Sequence, residues 1–366
     1  MSSSSRSRSC TRLAARGRVS SSCTAPKLDG ACRVTPHLDK CRNRRTNVCG
    51  RIRPRWAGAE GAGHGSVRRQ GRDRHRRRPR HRSLRGAAPR GGRQGRGEGD
   101  LGGSGAGEGA DQTPAQQVVD EIKAAGRGDA VANYDDCSSW TGAEAMVQQA
   151  IDTFGGLDVL ICNAGILRDK MSFNMTEEEF DAVIRVHLKG HFAPIRFAAA
   201  YWRGKAKETG EPANGAIVTT SSEAGLYGNA GQANYAAAKG GIASMTITLA
   251  RELERIGVRV NAIAPLAATR LLGTVGMGED LANDPKLAPE NPATGAVWLA
   301  SPLAEGISGQ VMKFGGGVAQ LIKRWTPVAE VSNEAIWSLD DLTAARATLF
   351  EGRDPGVPPF FPPIDG

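Results

Sequence analysis

From Asp100 onward the chain alternates short apolar runs with longer segments of helical period, and that alternation leaves few folds open. Pro114–Ala125 is amphipathic at the helical period, and Ala130–Asn133 reads as a short strand. Thr141–Phe154 reads as a helix, and Leu157–Cys162 as a buried strand. Thr176–Ala200 is helical with interruptions, Ala216–Thr220 is a strand, and Ala233–Ile256 is a long helix. Val258–Ala264 is a strand, a helix near Ala293–Leu299 follows, and Gln310–Phe314 is the last strand. Strands that are apolar throughout, separated by helices, predict a parallel sheet covered on both faces: the doubly wound α/β class. Beyond Lys323 the pattern gives a helical stretch and then a Pro-rich tail laid on the surface.

Residues 1–99 have neither period. Arg, Gly and Ser dominate and aliphatics are few, so the segment cannot build a core and is expected to be disordered. Residues 1–100 hold 27 Lys+Arg against 6 Asp+Glu, whereas the remaining 266 hold 21 against 32. A basic arm on an acidic globular body suggests nucleic-acid binding or targeting. Trp56 is the only aromatic in the arm, which counts against a specific nucleic-acid module, although phosphates would still attract it without sequence preference. No apolar run approaches the ~20 residues needed to span a membrane. The start of the chain also lacks the apolar stretch of a secretory signal. Five of the seven cysteines fall in the first 50 residues without a C-x-x-C pair, and the globular part keeps only Cys137 and Cys162. That is reduced, intracellular usage, and it points to the cytoplasm. No cluster of metal-ligand residues stands out.

Three motifs carry chemistry. Tyr235 and Lys239 are four apart on a predicted helix and therefore share a face. An ammonium beside a phenol favours phenolate, so Lys239 is expected to lower the Tyr235 pKa from about 10 toward the working pH. Tyr235 could then act as general acid or base on a carbonyl or alcohol. Ser222, in Thr-Ser-Ser-x-x-Gly, stands where the strand Ala216–Ser221 ends, at the carboxyl edge where such sheets place ligands. Its hydroxyl can reach the same reacting oxygen. The second motif, Asn163-Ala164-Gly165, follows the buried strand directly, and its small residues let a cofactor approach the backbone. The third is Asn261-Ala262-Ile263-Ala264-Pro265 with Thr269, again at a strand end.

In this order and spacing the motifs resemble the short-chain dehydrogenase/reductase family over residues 100 to about 325. The runs Asn-Ala-Gly-Ile-Leu-Arg-Asp (163–169), Arg185-Val186-His187-Leu188 and Gly228 to Tyr235 are similar to one subgroup. That subgroup comprises the dehydrogenase domains of peroxisomal multifunctional enzymes acting on (3R)-hydroxyacyl-CoA, with their bacterial relatives. The resemblance implies Tyr235 as general acid/base, Lys239 as its tuner and ribose ligand, and Ser222 as carbonyl partner. It puts Asn163, Ala164 and Gly165 beside the adenosine ribose, Pro265 and Thr269 at the nicotinamide end, and Asp136 near the adenine. His187 stands where most members carry the Asn of a proton relay; it is either a relay group or a structural residue. Asp100 matches the acidic residue that follows the second strand and hydrogen-bonds the adenosine ribose. A carboxylate there repels a 2′-phosphate, which implies NAD rather than NADP. The resemblance also implies a homodimer or homotetramer packed through the helix of Tyr235.

A dinucleotide fold opens with a strand, a Gly-rich turn and a helix whose N-terminus receives the pyrophosphate. No such turn precedes Asp100. Gly97-Glu98-Gly99-Asp100-Leu101-Gly102 fits G-x-G-x-x-G, but it would aim carboxylates at a diphosphate and is rejected. Read one base out of frame, codons permitted for Arg72–Ser83 spell V-I-V-T-G-A-G-R-G-I-G, a buried strand entering the family's turn. Codons permitted for Arg90–Gly97 spell A-E-G-A-K-V-V-V, the end of a helix and a second strand. The N-terminal strand–turn–helix thus reads as replaced by a frameshifted segment. A natural tail and a transit peptide are the other readings. The expected consequence is a sheet without its first two strands, leaving Val159–Cys162 without a neighbour, Ala130–Asn133 beyond the gap, and the pyrophosphate site lost.

The sequence therefore predicts three parts: a basic segment 1–99, a dehydrogenase domain 100–325 and an extension 326–366. The expected reaction is NAD-dependent hydride transfer on a secondary alcohol or ketone, with a 3-hydroxyacyl thioester as the candidate substrate, in a chain impaired in cofactor binding. The contrasting expectation is a non-catalytic binding protein with a basic nucleic-acid-binding tail on a degenerate dehydrogenase core.

Overall fold

The computed structural model describes residues 46–51, 95–100, 113–126, 128–267, 284–323 and 325–360. The strands are β1 (Thr46–Arg51), β2 (Gly95–Asp100), β3 (Asp129–Asn133), β4 (Val159–Cys162), β5 (Ala216–Thr220), β6 (Arg259–Leu266), β7 (Val311–Gly315) and β8 (Val318–Leu321). The helices are α1 (Thr113–Ala124), α2 (Trp140–Phe154), α3 (Glu177–Ile184), α4 (Gly190–Thr209), α5 (Glu223–Tyr227), α6 (Ala233–Leu253), α7 (Glu290–Ala300) and α8 (Leu339–Leu349).

One eight-stranded sheet runs in the order β3-β2-β1-β4-β5-β6-β7-β8. Strands β4, β5, β6 and β7 are mutually parallel. Every residue of β4 and β5 is buried, which explains why these segments read as continuous apolar runs. Alternate side chains serve opposite faces. Leu160, Cys162, Ile217 and Val260 pack with α2, α4 and α6 around the fully buried Trp202. Val159, Ile161, Val218 and Ile263 pack with Ala296, Leu299 and Ala300 of α7. The doubly wound α/β fold is thus present.

Local signals fix the element ends. Ser139 caps α2 by accepting from the Gly142 amide, and Gly155 closes it at φ 71°. Thr176 and Glu179 form a capping box at the start of α3. The interruption expected within 176–200 is a π-helical turn at Arg185–Lys189, between α3 and α4.

Three expectations change. The sheet has no gap between β3 and β4, because β2 and β1 occupy it, and both come from the tract expected to be disordered. The open edges of β3 and β4 present backbone donors and acceptors, which any segment can satisfy without apolar side chains. β2 pairs parallel with β3, but β1 runs antiparallel to both its neighbours, Asn47 facing Cys162 and Gly50 facing Val159. Finally, β7 is not the last strand: Gly315, Gly316 and Gly317, all at positive φ, turn the chain into the antiparallel β8.

Candidate active site

The carboxyl ends of β4 and β5 and the start of α6 meet at one edge of the sheet, and the catalytic motifs gather there. Tyr235 and Lys239 lie on one face of α6, with Lys239 Nζ 5.6 Å from the centroid of the phenol ring. Ser222 is the N-cap of α5, accepting from the Ala224 amide at 3.3 Å, and its hydroxyl hydrogen-bonds the Tyr235 phenol. α5 and α6 touch nearly backbone to backbone. A Cβ at Gly225 would lie 2.6 Å from the Gly240 nitrogen, so only glycine allows the two helices to bring Ser222 and Tyr235 together. Tyr235 and Ser222 are half-buried, whereas Lys239 is buried and donates to the Thr220 carbonyl at 2.6 Å.

The electrostatics differ from the sequence expectation. Burial pushes the Tyr235 phenol up, the Ser222 hydrogen bond opposes that, and the Asp169 carboxylate adds to the rise. Burial brings Lys239 down from 10.5 to about 7. The expected lowering of the phenol by lysine is therefore not produced by these residues alone. The ammonium lies over the ring face and bonds a carbonyl, and desolvation disfavours the charged forms of both groups.

The strand β4 hands directly to Asn163, Ala164 and Gly165. Asn163 is exposed, and its Oδ1 accepts from Thr220 Oγ1 at 3.0 Å. Ala164 is buried. Gly165 sits against the His187 ring, where an added Cβ would come within 2.3 Å of Cε1. His187 lies in the π-helical turn, is 2 % exposed, and meets the Ile166 backbone at both ends. Its Nε2 lies 2.7 Å from the Ile166 oxygen and 2.9 Å from the Ile166 nitrogen. The same ring stands edge-on to Tyr235, centroids 5.1 Å apart. His187 thus braces the strand end beside the phenol. Asp136 accepts from the Ser138 amide and hydroxyl and from Arg185 at 2.8 Å. Burial alone would raise its carboxyl, but the Ser138 bonds and the Arg185 charge outweigh that and hold it below the usual range. Pro265 lies in β6, two strands from Asn163, and Asp100 ends β2. Thr269 lies outside the described residues, as does most of the segment read as frameshifted. Gly97 and Gly99 of the rejected glycine pattern belong to β2.

Several residues escaped the sequence reading. Asn234 is fully buried. Its Nδ2 donates to the Arg168 and Glu179 carbonyls, and its Oδ1 accepts from the Tyr235 amide at 2.7 Å, fixing the start of α6. Gln232 donates to Asp169 at 2.7 Å, tying the loop after β4 to the loop before α6. Glu223 and Lys313 form a buried ion pair between α5 and β7. His191 is buried completely. Asn234 and Gln232 stood in a motif already singled out. Nothing local marked the other three.

A parallel-centred α/β sheet whose carboxyl edge joins Ser222, Tyr235 and Lys239 defines an oxidoreductase of the dehydrogenase class. The short chain dehydrogenase family model matches residues 108–274. A hydroxyacyl-CoA dehydrogenase of Mycobacterium tuberculosis, ChsB1, is 45% identical over 250 residues, covering 66% of this chain and 78% of that protein. The mouse peroxisomal multifunctional enzyme type 2 is 41% identical over 226 residues, 62% of this chain but 29% of that longer protein. A crystal structure of a short chain dehydrogenase from Mycobacterium avium superposes with a TM-score of 0.61 at 45% identity, covering 71% of this chain and 86% of that one. The chain belongs to the short chain dehydrogenase family. Membership implies a nicotinamide cofactor.

Among the described residues, candidate groups for such a cofactor gather at the carboxyl edge of the sheet. The exposed Asn163 and the buried Lys239 are both tied to Thr220 at that edge, beside Ala164 and Gly165. Beside β4, β1 runs antiparallel, with Asn47 at the edge of Cys162 and Arg51 toward the opposite edge. No helix among them is long and apolar enough to cross a membrane.

Proposed function

We propose that this chain carries the proton-transfer half of an NAD-dependent short-chain dehydrogenase acting on a secondary alcohol or ketone. A 3-hydroxyacyl thioester is the substrate class, and dinucleotide binding is impaired. The observation that carries this reading is the Ser222–Tyr235 hydrogen bond with Lys239 packed against the same phenol. Names of relatives, hydroxyacyl-CoA dehydrogenase and peroxisomal multifunctional enzyme, support the thioester. Asp100 at the end of β2, next to β3, supports NAD over NADP.

The Tyr235 hydroxyl moves the proton to or from the substrate oxygen, and Ser222 holds that oxygen by a second hydrogen bond. A phenol raised by burial stays protonated near neutral pH and so holds a proton for the substrate oxygen. Lys239, near neutrality, supplies positive charge beneath the ring as phenolate character develops. A bound nicotinamide would give or take the hydride. Lys239 would hold the ribose, Asn163, Ala164 and Gly165 would border the adenosine ribose, Pro265 and Thr269 would hold the nicotinamide end, and Asp136 would lie near the adenine. His187 acts as a brace for Ile166 rather than as a relay, because its Nε2 already engages that peptide. The proposal further takes residues 100–325 as the catalytic domain, 326–366 as an extension, the cytoplasm as the compartment and a homodimer or homotetramer as the assembly.

Two proteins test it: the chain as written, and a chain carrying the shifted-frame peptides in place of residues 70–97. The second should oxidise a 3-hydroxyacyl-CoA with formation of NADH at 340 nm, and Tyr235→Phe should abolish this. Failure of the restored chain on any secondary-alcohol thioester overturns the dehydrogenase reading. Micromolar NADH affinity of the unaltered chain in isothermal titration overturns the impairment.

A further inference from the structure

Two loops are stitched together at the start of α6, and one carboxylate is held between them. The Arg168 carbonyl accepts from Asn234 Nδ2 at 3.0 Å, and the Lys170 amide donates to the Gly231 carbonyl at 2.8 Å. Asp169 lies between these two ties and is carried against the residues that lead into Tyr235. Its Oδ2 accepts from Gln232 Nε2 at 2.7 Å, and Gln232 Oε1 accepts from Asn229 Nδ2 at 3.0 Å. Gln232 is buried, and its orientation follows from its partners. A carboxylate only accepts, so the amide nitrogen faces Asp169 and the oxygen faces Asn229.

The partner of Asp169 is thus an amide and not a cation. Asp136 and Glu223, by contrast, pair with Arg185 and Lys313. The two cations flanking Asp169 in the chain are engaged elsewhere. Lys170 Nζ lies 3.7 Å from Glu179, and Arg168 Nη1 donates to the Leu167 carbonyl at 2.9 Å. Gln232 therefore orients the carboxylate without cancelling its charge. Burial raises the Asp169 carboxyl while the Gln232 bond favours its ionised form, and its charge is felt at Tyr235, whose phenol it helps to raise.

We propose that Asp169 is a specificity-determining residue: a fixed negative charge beside Tyr235 that admits an uncharged 3-hydroxyacyl thioester and turns away the free 3-hydroxy acid. The inference rests on the dehydrogenase reading and deepens it. In a 3-hydroxy acid one methylene separates the reacting carbon from the carboxylate. Binding its alcohol oxygen at Tyr235 and Ser222 would bring a second anion into the range of Asp169, and like charges repel. The thioester carries no charge at that carbon. The phosphates of coenzyme A sit at the far end of the pantetheine arm, where solvent and salt screen them.

The test compares 3-hydroxybutyrate with its uncharged N-acetylcysteamine thioester at pH 8, on the chain carrying the shifted-frame peptides. Asp169→Asn keeps an acceptor for Gln232 and removes only the charge. It should raise kcat/KM for the free acid relative to the thioester about tenfold, the size expected of one partly solvated charge. Added salt should raise the same ratio in the parent and not in the Asn variant. Asp169→Glu, which returns the charge, should keep the parent's preference. A purely structural role would change both substrates alike. An unchanged ratio therefore overturns the proposal, while turnover of the thioester leaves the dehydrogenase reading standing. In the unaltered chain, 13Cζ-tyrosine NMR reads the charge without cofactor or activity. Asp169→Asn should lower the Tyr235 midpoint, and an unmoved midpoint overturns the proposal whatever the restored chain turns over.

Discussion

Replacing Lys239 by Met should stabilise the fold while disabling the site, and the size of the effect follows from its burial. The ammonium is 2 % exposed and titrates at about 7 instead of 10.5. In the unfolded chain Lys239 stays protonated up to about pH 10.4. Below pH 7 both states carry the proton, and folding bears the full cost of burying it, about 5 kcal/mol. Between pH 7 and 10.5 the unfolded chain binds the extra proton, so stability rises with pH by about 1.4 kcal/mol per unit. Above 10.5 the cost is gone. At pH 7 about 4 kcal/mol remains, and Met recovers it apart from about 1–2 kcal/mol for the Thr220 carbonyl left without its donor. Lys239→Met should therefore be more stable than the parent by about 2–3 kcal/mol at pH 7, falling to about zero at pH 9. Urea unfolding at pH 6, 7, 8 and 9 measures this. A variant less stable at pH 7, or a difference that does not shrink as pH rises, would refute the reasoning.

Three other perturbations probe the same edge of the sheet. Gly165→Ala forces a methyl to within 2.3 Å of His187 and should cost about 2–3 kcal/mol in urea unfolding, a cost that His187→Ala in the same chain should largely relieve. Lys313→Met strands a buried Glu223 and should cost about 3–5 kcal/mol, whereas pairing it with Glu223→Leu should restore most of the loss in thermal unfolding. Asp136 is held low by Ser138 and Arg185, so it stabilises the fold above its unfolded pKa, and this is lost as pH falls through the folded one. Arg185→Gln should move that loss to higher pH in an acid titration followed by circular dichroism.

Much of the catalytic edge was legible because its signals are local. Tyr235 and Lys239 share a helix face by spacing, Ser222 and Asn163 follow apolar strands, Gly225 stands where two helix backbones nearly touch, and Gly165 stands against the His187 ring. The strand and helix order from Pro114 to Phe314 was legible for the same reason, since period follows from the geometry of each element. His191 was not legible: nothing in a lone helical histidine shows that the fold brings it against Thr220, 29 residues later. Glu223 and Lys313 lie 90 residues apart, and only the fold brings them together as an ion pair. The direction of the Tyr235 shift also failed, because spacing gives proximity but not desolvation.

Sequence alone pointed to the residues proposed for proton chemistry and determined that apolar strands would be enclosed by helices, because side-chain type and period are properties of neighbouring residues. Which backbones fill the sheet beside β4, and in which direction, was decided by the assembled fold. An open strand edge accepts hydrogen bonds from whatever chain reaches it, so β1 could enter antiparallel and leave at the edge away from Asn163. The charge states of Tyr235 and Lys239 belong to that level too, since they depend on how much water the packing removes.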